Sequence, residues 1–186
     1  MDAAKIAALA ERVRQVQGQS LNEAMTKNSL IMPFINALGY DVFNPSEVAA
    51  EYTADFGTKR GEKIDFALLK EGNPVILIEC KPLGAPLDTG KCSQLFRYFS
   101  TQPARIGILT DGCMDTKPFM EINLLDFNER YLPEIQKLAK ESFDEDGIVS
   151  AAGNLKMARA VYLLFSDDMS NPSDEFIRLY ASQCYD

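Results

Sequence analysis

Apolar residues recur at helical spacing over residues 3–16 and again over 21–38, and Gln17-Gly18-Gln19-Ser20 separates the two runs. Ser20, with Glu23 three positions later, has the spacing of a capping box, and Gly39 stands where a helix would end. The pattern then changes to short extended stretches. Residues 40–43 and 48–53 are strand candidates around Asn44-Pro45. Residues 63–69 and the strongly apolar run 74–81 flank the turn Lys70-Glu71-Gly72-Asn73, which predicts a β-hairpin. A helix is expected over 88–101, a buried strand over 105–110 closed by Asp111-Gly112, and one more strand over 119–127. After Arg130 the pattern is helical near 131–142, 151–166 and 173–185, broken at Asp144-Glu145-Asp146-Gly147 and at Asn171-Pro172. This order, αβββαβ and then helices, predicts an α/β fold with a mixed central sheet. It divides into a domain over 1–128 and a helical segment over 129–186 that leads into or docks on another domain.

The hairpin brings chemistry with it. A turn centred on Gly72 pairs Leu69 with Val75, Ala67 with Leu77, and Asp65 with Glu79. Opposed residues of an antiparallel pair share a face, with Cβ atoms about 5 Å apart. Lys81, two residues beyond Glu79, falls on the same side. A Glu and a Lys at a strand end are ordinarily a solvated pair. Here Glu79 closes an apolar run expected to be buried on both faces, so its charge needs a reason. Two adjacent carboxylates repel unless a cation lies between them. A divalent ion such as Mg2+ suits one or two carboxylates completed by water and a phosphate oxygen.

Composition narrows the chemistry further. The chain has no histidine, which excludes Ser-His-Asp and Cys-His catalysis, histidine-ligated zinc and a histidine base. Its four cysteines are scattered without a C-x-x-C pair, so free thiols and a cytoplasmic location are expected. No stretch has the length of apolar sequence that a membrane span needs, so no membrane partner is expected. The net charge of −8 argues at first sight against a nucleic-acid partner. Its distribution says otherwise: residues 56–105 hold 8 basic and 5 acidic side chains, whereas 106–186 hold 7 and 15. Lys59, Arg60, Lys63, Lys91 and Arg97 in the basic third are candidates for phosphate contacts, or simply solvated lysines and arginines.

Four blocks then stand in order: Asn22-Glu23-Ala24-Met25-Thr26-Lys27 with Leu38-Gly39-Tyr40; Lys63-Ile64-Asp65-Phe66; Ile78-Glu79-Cys80-Lys81-Pro82; and Gln94-Leu95-Phe96-Arg97-Tyr98. Together they resemble the PD-(D/E)xK nuclease superfamily, and more closely the N-terminal nuclease domain of type I restriction motor (HsdR) subunits. The resemblance implies a restriction-endonuclease-like core that hydrolyses DNA phosphodiester bonds. Asp65 and Glu79 would ligate Mg2+ (or Mn2+) with the backbone carbonyl of Cys80, and Lys81 would orient the attacking water. It makes Glu23 an accessory acid near the metal, where helix geometry alone leaves it either a cap or an acid at the core edge. Gln94 and Tyr98, four apart on one helix face, would support the site; without the resemblance, Tyr98 is as well explained as core. Partners implied are DNA and other restriction subunits, with a homodimer through the helical tail as another route.

The chain has no G-x-x-x-x-G-K-[ST] loop, so translocation of DNA by this chain is not expected. Two other functions fit the same pattern: a catalytically silent module of this fold for DNA binding or assembly, and an RNA- or nucleotide-processing hydrolase with the same metal site.

Overall fold

The computed structural model describes residues 1–53, 63–85, 87, 95, 103–112, 124 and 127–152. The chain divides into two compact units, Met1–Val149 and Ser150–Asp186, and the sheet and the helices up to residue 136 belong to the first.

Helix α1 (Ala3–Val16) is capped by the Asp2 side chain, which accepts from the Lys5 amide, and it buries Ile6, Leu9, Ala10 and Val13. That i, i+3, i+4, i+7 spacing is the apolar stripe of a surface helix. The second helical run is not the uniform α-helix expected. Its cap is Asn22, not Ser20, with the Asn22 side chain accepting from the Met25 amide at 2.9 Å. The capping box of Ser20 and Glu23 therefore does not form. Glu23 sits in the first turn and its carboxylate is free to reach sideways. Helix α2 (Glu23–Thr26) passes into a π-helical turn (Lys27–Ile31) and then α3 (Met32–Ala37). Pro33 supplies a reason. It has no N–H to offer the Ser29 carbonyl, and its ring crowds that carbonyl in a regular helix. The carbonyl is taken instead by the Arg12 guanidinium of α1, at 3.3 Å.

Residues 40–43 do not form a strand. Asp41 and Asn44 accept from the amides of Phe43 and Ser46, two residues on in each case, and hold the segment in turns. Among the described residues four strands follow: β1 (Val48–Tyr52), β2 (Ile64–Lys70), β3 (Asn73–Cys80) and β4 (Ile106–Thr110), in the spatial order β1-β2-β3-β4. The first two pairings are antiparallel and β3–β4 is parallel, which gives the mixed sheet expected. This α/β arrangement, a four-stranded mixed sheet flanked by helices, is consistent with a restriction-endonuclease-like core.

Strand alternation sorts the core. Phe66, Leu68, Ile76, Ile78, Cys80, Ile106 and Ile108 pack with the helices, through Ile6, Val13, Leu30 and Ile35. Ala67 and Leu77 pack with Leu95 and Ala104 in a second cluster, which Ile64 joins although it has the parity of Phe66 and Leu68, so the alternation is broken next to Asp65. Beyond the sheet, Glu129–Tyr131 is a 3-10 turn and α4 covers Leu132–Gln136. The helix expected to 142 stops there, because the amides of Lys137, Leu138 and Ala139 bond three residues back in tight turns. Residues 145–152 are helical, beginning at the segment expected to be a break, with Asp144 accepting from the Gly147 amide. The expected strand at 119–127 and the helices at 88–101 and 173–185 lie mostly or wholly outside the described residues. Among the described residues no helix is long and apolar enough to cross a membrane.

Candidate active site

The hairpin turn is tighter than a turn centred on Gly72. Glu71 (φ 54°) and Gly72 (φ 80°) form a two-residue loop closed by Lys70↔Asn73, the left-handed geometry whose twist suits a hairpin. Leu69 therefore pairs with Pro74, and the expected Leu69–Val75 pair does not form. Continued unbroken, that register would set Glu79 opposite Ile64 and turn the two acids to opposite faces. It is broken between Leu68 and Leu69 by an extra residue on β3. The bulge restores Leu68↔Ile76, Ala67↔Leu77 and Phe66↔Ile78, so Asp65 and Glu79 are the next opposed positions.

Backbone pairing stops at Phe66↔Ile78. Where the next bonds would form, the Asp65 side chain takes over: its Oδ2 accepts the Cys80 amide at 2.6 Å. On the other side, Glu51 of β1 stands opposite Asp65, between the pairs Ala50↔Phe66 and Tyr52↔Ile64. Glu51 adopts a left-handed φ of 50°, a strained conformation for a residue with a side chain. Three acids thus follow one another across three strands.

Glu79 is 5 % exposed. Its Oε1 accepts from Lys81 Nζ at 2.7 Å, while among the described residues its buried Oε2 has no hydrogen-bond partner. Burial pushes the Glu79 carboxyl pKa up, opposed by Lys81 and reinforced by the nearby charges of Asp65 and Glu23. Burial also pushes the Cys80 thiol well up. Its sulfur therefore stays protonated, and Cys80 offers the site only its backbone.

The second helical run supplies the cation. Lys27 Nζ contacts Asp65 Oδ1, lies 3.0 Å from Glu23 Oε1 and 3.8 Å from Glu51 Oε1. Burial works against its charge, but the hydrogen bonds with Asp65 and Glu23 outweigh it and hold the ammonium above the usual lysine range. Lys63 lies 3.7 Å from Glu51 Oε2. The loop after Lys81 is fixed from behind. Thr26 Oγ1 accepts from the Leu83 amide at 3.1 Å, and buried Asp111 accepts from the Gly84 amide at 2.9 Å.

The structure thus brings Glu23, Lys63, Asp65, Glu79, Cys80 and Lys81 into one neighbourhood. Gln94, Tyr98, Lys59, Arg60, Lys91 and Arg97 lie outside the described residues. Residues 22–127 match the family model for the type I restriction enzyme R protein N terminus. The chain belongs to this family. The match starts at Asn22, the cap that orients Glu23 and Lys27, and takes in all four described strands, so the chain carries the acidic cluster of Glu23, Glu51, Asp65 and Glu79 within its family region. No curated protein and no solved structure matches the chain.

The sequence placed Thr26 and Lys27 in a family block and Asp111 in a turn, but pointed to no role at the site for them or for Glu51. For Lys27 a signal was present, since it lies four residues after Glu23 on one helix face. For Glu51 there was none, because the long connection from β1 to β2 sets no register. An inverting turn–bulge combination is equally silent in sequence.

Proposed function

We propose that this chain is a metal-dependent nuclease that hydrolyses DNA phosphodiester bonds in a restriction or phage-defence system. The observation that carries this reading is Glu79 Oε2, a buried carboxylate oxygen with no partner among the described residues. A buried charge left half-satisfied costs stability; a function explains its presence. The donors nearby are hard oxygens, suited to Mg2+ or Mn2+. Among the described residues no three acidic or cysteine side chains form a group that could hold a metal ion, so water and a phosphate oxygen would have to complete the coordination.

Asp65, Glu79 and the Cys80 carbonyl would hold the ion. When bound, it supplies a water of lowered pKa and positive charge at the scissile phosphate. Asp65 is oriented by the Cys80 amide, so the strand carrying Glu79 also fixes the second carboxylate. The Lys81 ammonium, anchored beside Glu79, donates to the attacking water and to charge developing on the phosphoryl oxygens. Glu23 is an accessory acid that tethers Lys27. Lys63, with Lys59, Arg60, Lys91 and Arg97, would contact backbone phosphates, and Gln94 with Tyr98 would support the site. Cleavage leaves a 5′-phosphate and a 3′-hydroxyl. The C-terminal segment would engage other restriction subunits or a second copy.

The test incubates the purified chain with plasmid, single-stranded DNA and RNA in Mg2+ or Mn2+, beside Asp65→Ala and Lys81→Ala. Metal-dependent DNA cleavage lost in both variants is expected. Cleavage that persists in both removes the site. Absence of cleavage and of metal binding leaves a silent assembly module, and cleavage of RNA alone assigns the hydrolase to RNA.

A further inference from the structure

Both oxygens of Asp65 are engaged: Oδ2 by the Cys80 amide and Oδ1 by the Lys27 ammonium. A divalent ion entering at Asp65 therefore meets a cation already in contact with it. The same ammonium touches two other carboxylates, Glu23 at 3.0 Å and Glu51 at 3.8 Å. Giving up Asp65 does not leave it unpaired, which would be costly for a side chain only 18 % exposed. The lysine stem is flexible and its head is a compact point charge, so a short displacement is enough.

We infer that Lys27 is a tethered counter-cation of the site: it occupies Asp65 when no divalent ion does, and withdraws onto Glu23 and Glu51 when one binds. The inference rests on the metal-binding reading above and concerns what that ion must displace. It assigns Lys27 a positioning role, and gives Glu51, with its strained backbone, a reason to stand opposite Asp65. Charge counting agrees. Among the described residues, Glu23, Glu51, Asp65 and Glu79 face Lys27, Lys63 and Lys81, one negative charge in excess when all are ionised. One divalent ion inverts that sign, and a phosphodiester then neutralises it. Because Lys27 stays within the cluster, it keeps contributing charge while it leaves the coordinating oxygen.

The test titrates the full chain with MnCl2 by calorimetry, in wild type, Lys27→Met, Lys63→Met and Asp65→Asn. Lys27→Met removes the competitor and tightens Mn2+ binding about tenfold, whereas Lys63→Met, at a side chain that lies beside the exposed Glu51, changes it less than about threefold. Equal effects of the two variants would make Lys27 just another positive charge and overturn the inference, as would weaker or unchanged binding in Lys27→Met. Mn2+ binding that survives Asp65→Asn, or absent from wild type, overturns the metal reading and this inference with it. A second measurement avoids the folding of Lys27→Met. In the wild-type chain, the 15N-detected ammonium signal of Lys27, assigned from its absence in Lys27→Arg, shifts on Mg2+ addition. A signal that stays fixed through saturation overturns the exchange.

Discussion

The Cys80 amide donates to Asp65 Oδ2 at 2.6 Å, across the point where backbone pairing between β2 and β3 has ended. The carboxylate replaces the next rung of the ladder, so it is both a structural acceptor and the group expected to bind metal. The two roles separate by substitution.

Asp65→Asn keeps an oxygen for the Cys80 amide and loses the charge; Asp65→Ala loses both. Each should lower cleavage roughly a thousandfold or more, since several kcal/mol of charge stabilisation depend on the ion. Urea denaturation should place the alanine variant about 1–3 kcal/mol below the asparagine one, the cost of an unsatisfied amide. Equal stability would show that the 2.6 Å bond carries little weight in the fold.

Thr26 links the helical run to the loop after Lys81. Its Oγ1 donates to the Asn22 carbonyl at 3.0 Å while accepting from the Leu83 amide. Thr26→Val is close to isosteric and removes that acceptor. A loss of about 1 kcal/mol in stability is expected. Cleavage should fall through kcat more than KM, because the loop sets where Lys81 points, and Thr26→Ser should restore both. A valine variant with unchanged kcat would show that the loop does not position Lys81.

Much of this arrangement is legible in the sequence where local rules decide it. The apolar run ending in Glu79 and the turn at Glu71-Gly72 place a hairpin, and the alternation of Ala67 and Leu77 against Phe66, Leu68, Ile76 and Ile78 assigns its faces. The pairing of Asp65 with Glu79 was expected from a turn of the wrong size. The bulge beside Val75 offsets that error, and a bulge leaves no distinct trace in composition. Pro33 does signal a disturbed helix, but a kink, a break and a π turn all satisfy it, and only the backbone of Lys27–Ile31 shows which occurs. Glu51 and Asp111 act through contacts between segments distant in sequence, and no local pattern carries that.

Gly112 follows β4 with φ at +85°, and a Cβ there would lie 2.7 Å from Leu30 Cδ1, 3.1 Å from Leu30 Cβ and 3.3 Å from Thr26 Cγ2. Leu30 is fully buried and cannot swing clear. Gly112→Ala therefore combines a disfavoured backbone with a clash, and should cost more than about 1 kcal/mol. Since the clash pushes on the helix that carries Lys27 and Thr26, Mn2+ affinity should change as well. An alanine variant as stable as wild type would mean that β4 and the π turn are looser neighbours than the distances indicate.

Glu79 is where stability and function should oppose each other. Burial raises its pKa in the folded chain above the ordinary carboxylate value, so the ionised form is disfavoured by folding. For an acid with a raised folded pKa the penalty is absent below the ordinary value. It grows as pH rises through the window up to the raised value, and is full above it. The metal-free protein should therefore lose stability as pH rises through that window. Glu47 titrates with the opposite sense. The Asp41 amide and Lys140 lower its pKa, so its contribution is present above the ordinary value and is lost only as pH falls below it. The two effects occupy different sides of the ordinary carboxylate range. Glu79→Gln retains an oxygen for Lys81 and removes the charge. Denaturation at several pH values without metal should show the variant more stable than wild type at neutral pH, and level with it at the acid end. Added Mn2+ should reverse that order, stabilising wild type alone, and cleavage by the variant should be lost. A glutamine variant less stable than wild type at neutral pH without metal would mean that the Lys81 ion pair outweighs the burial of Glu79.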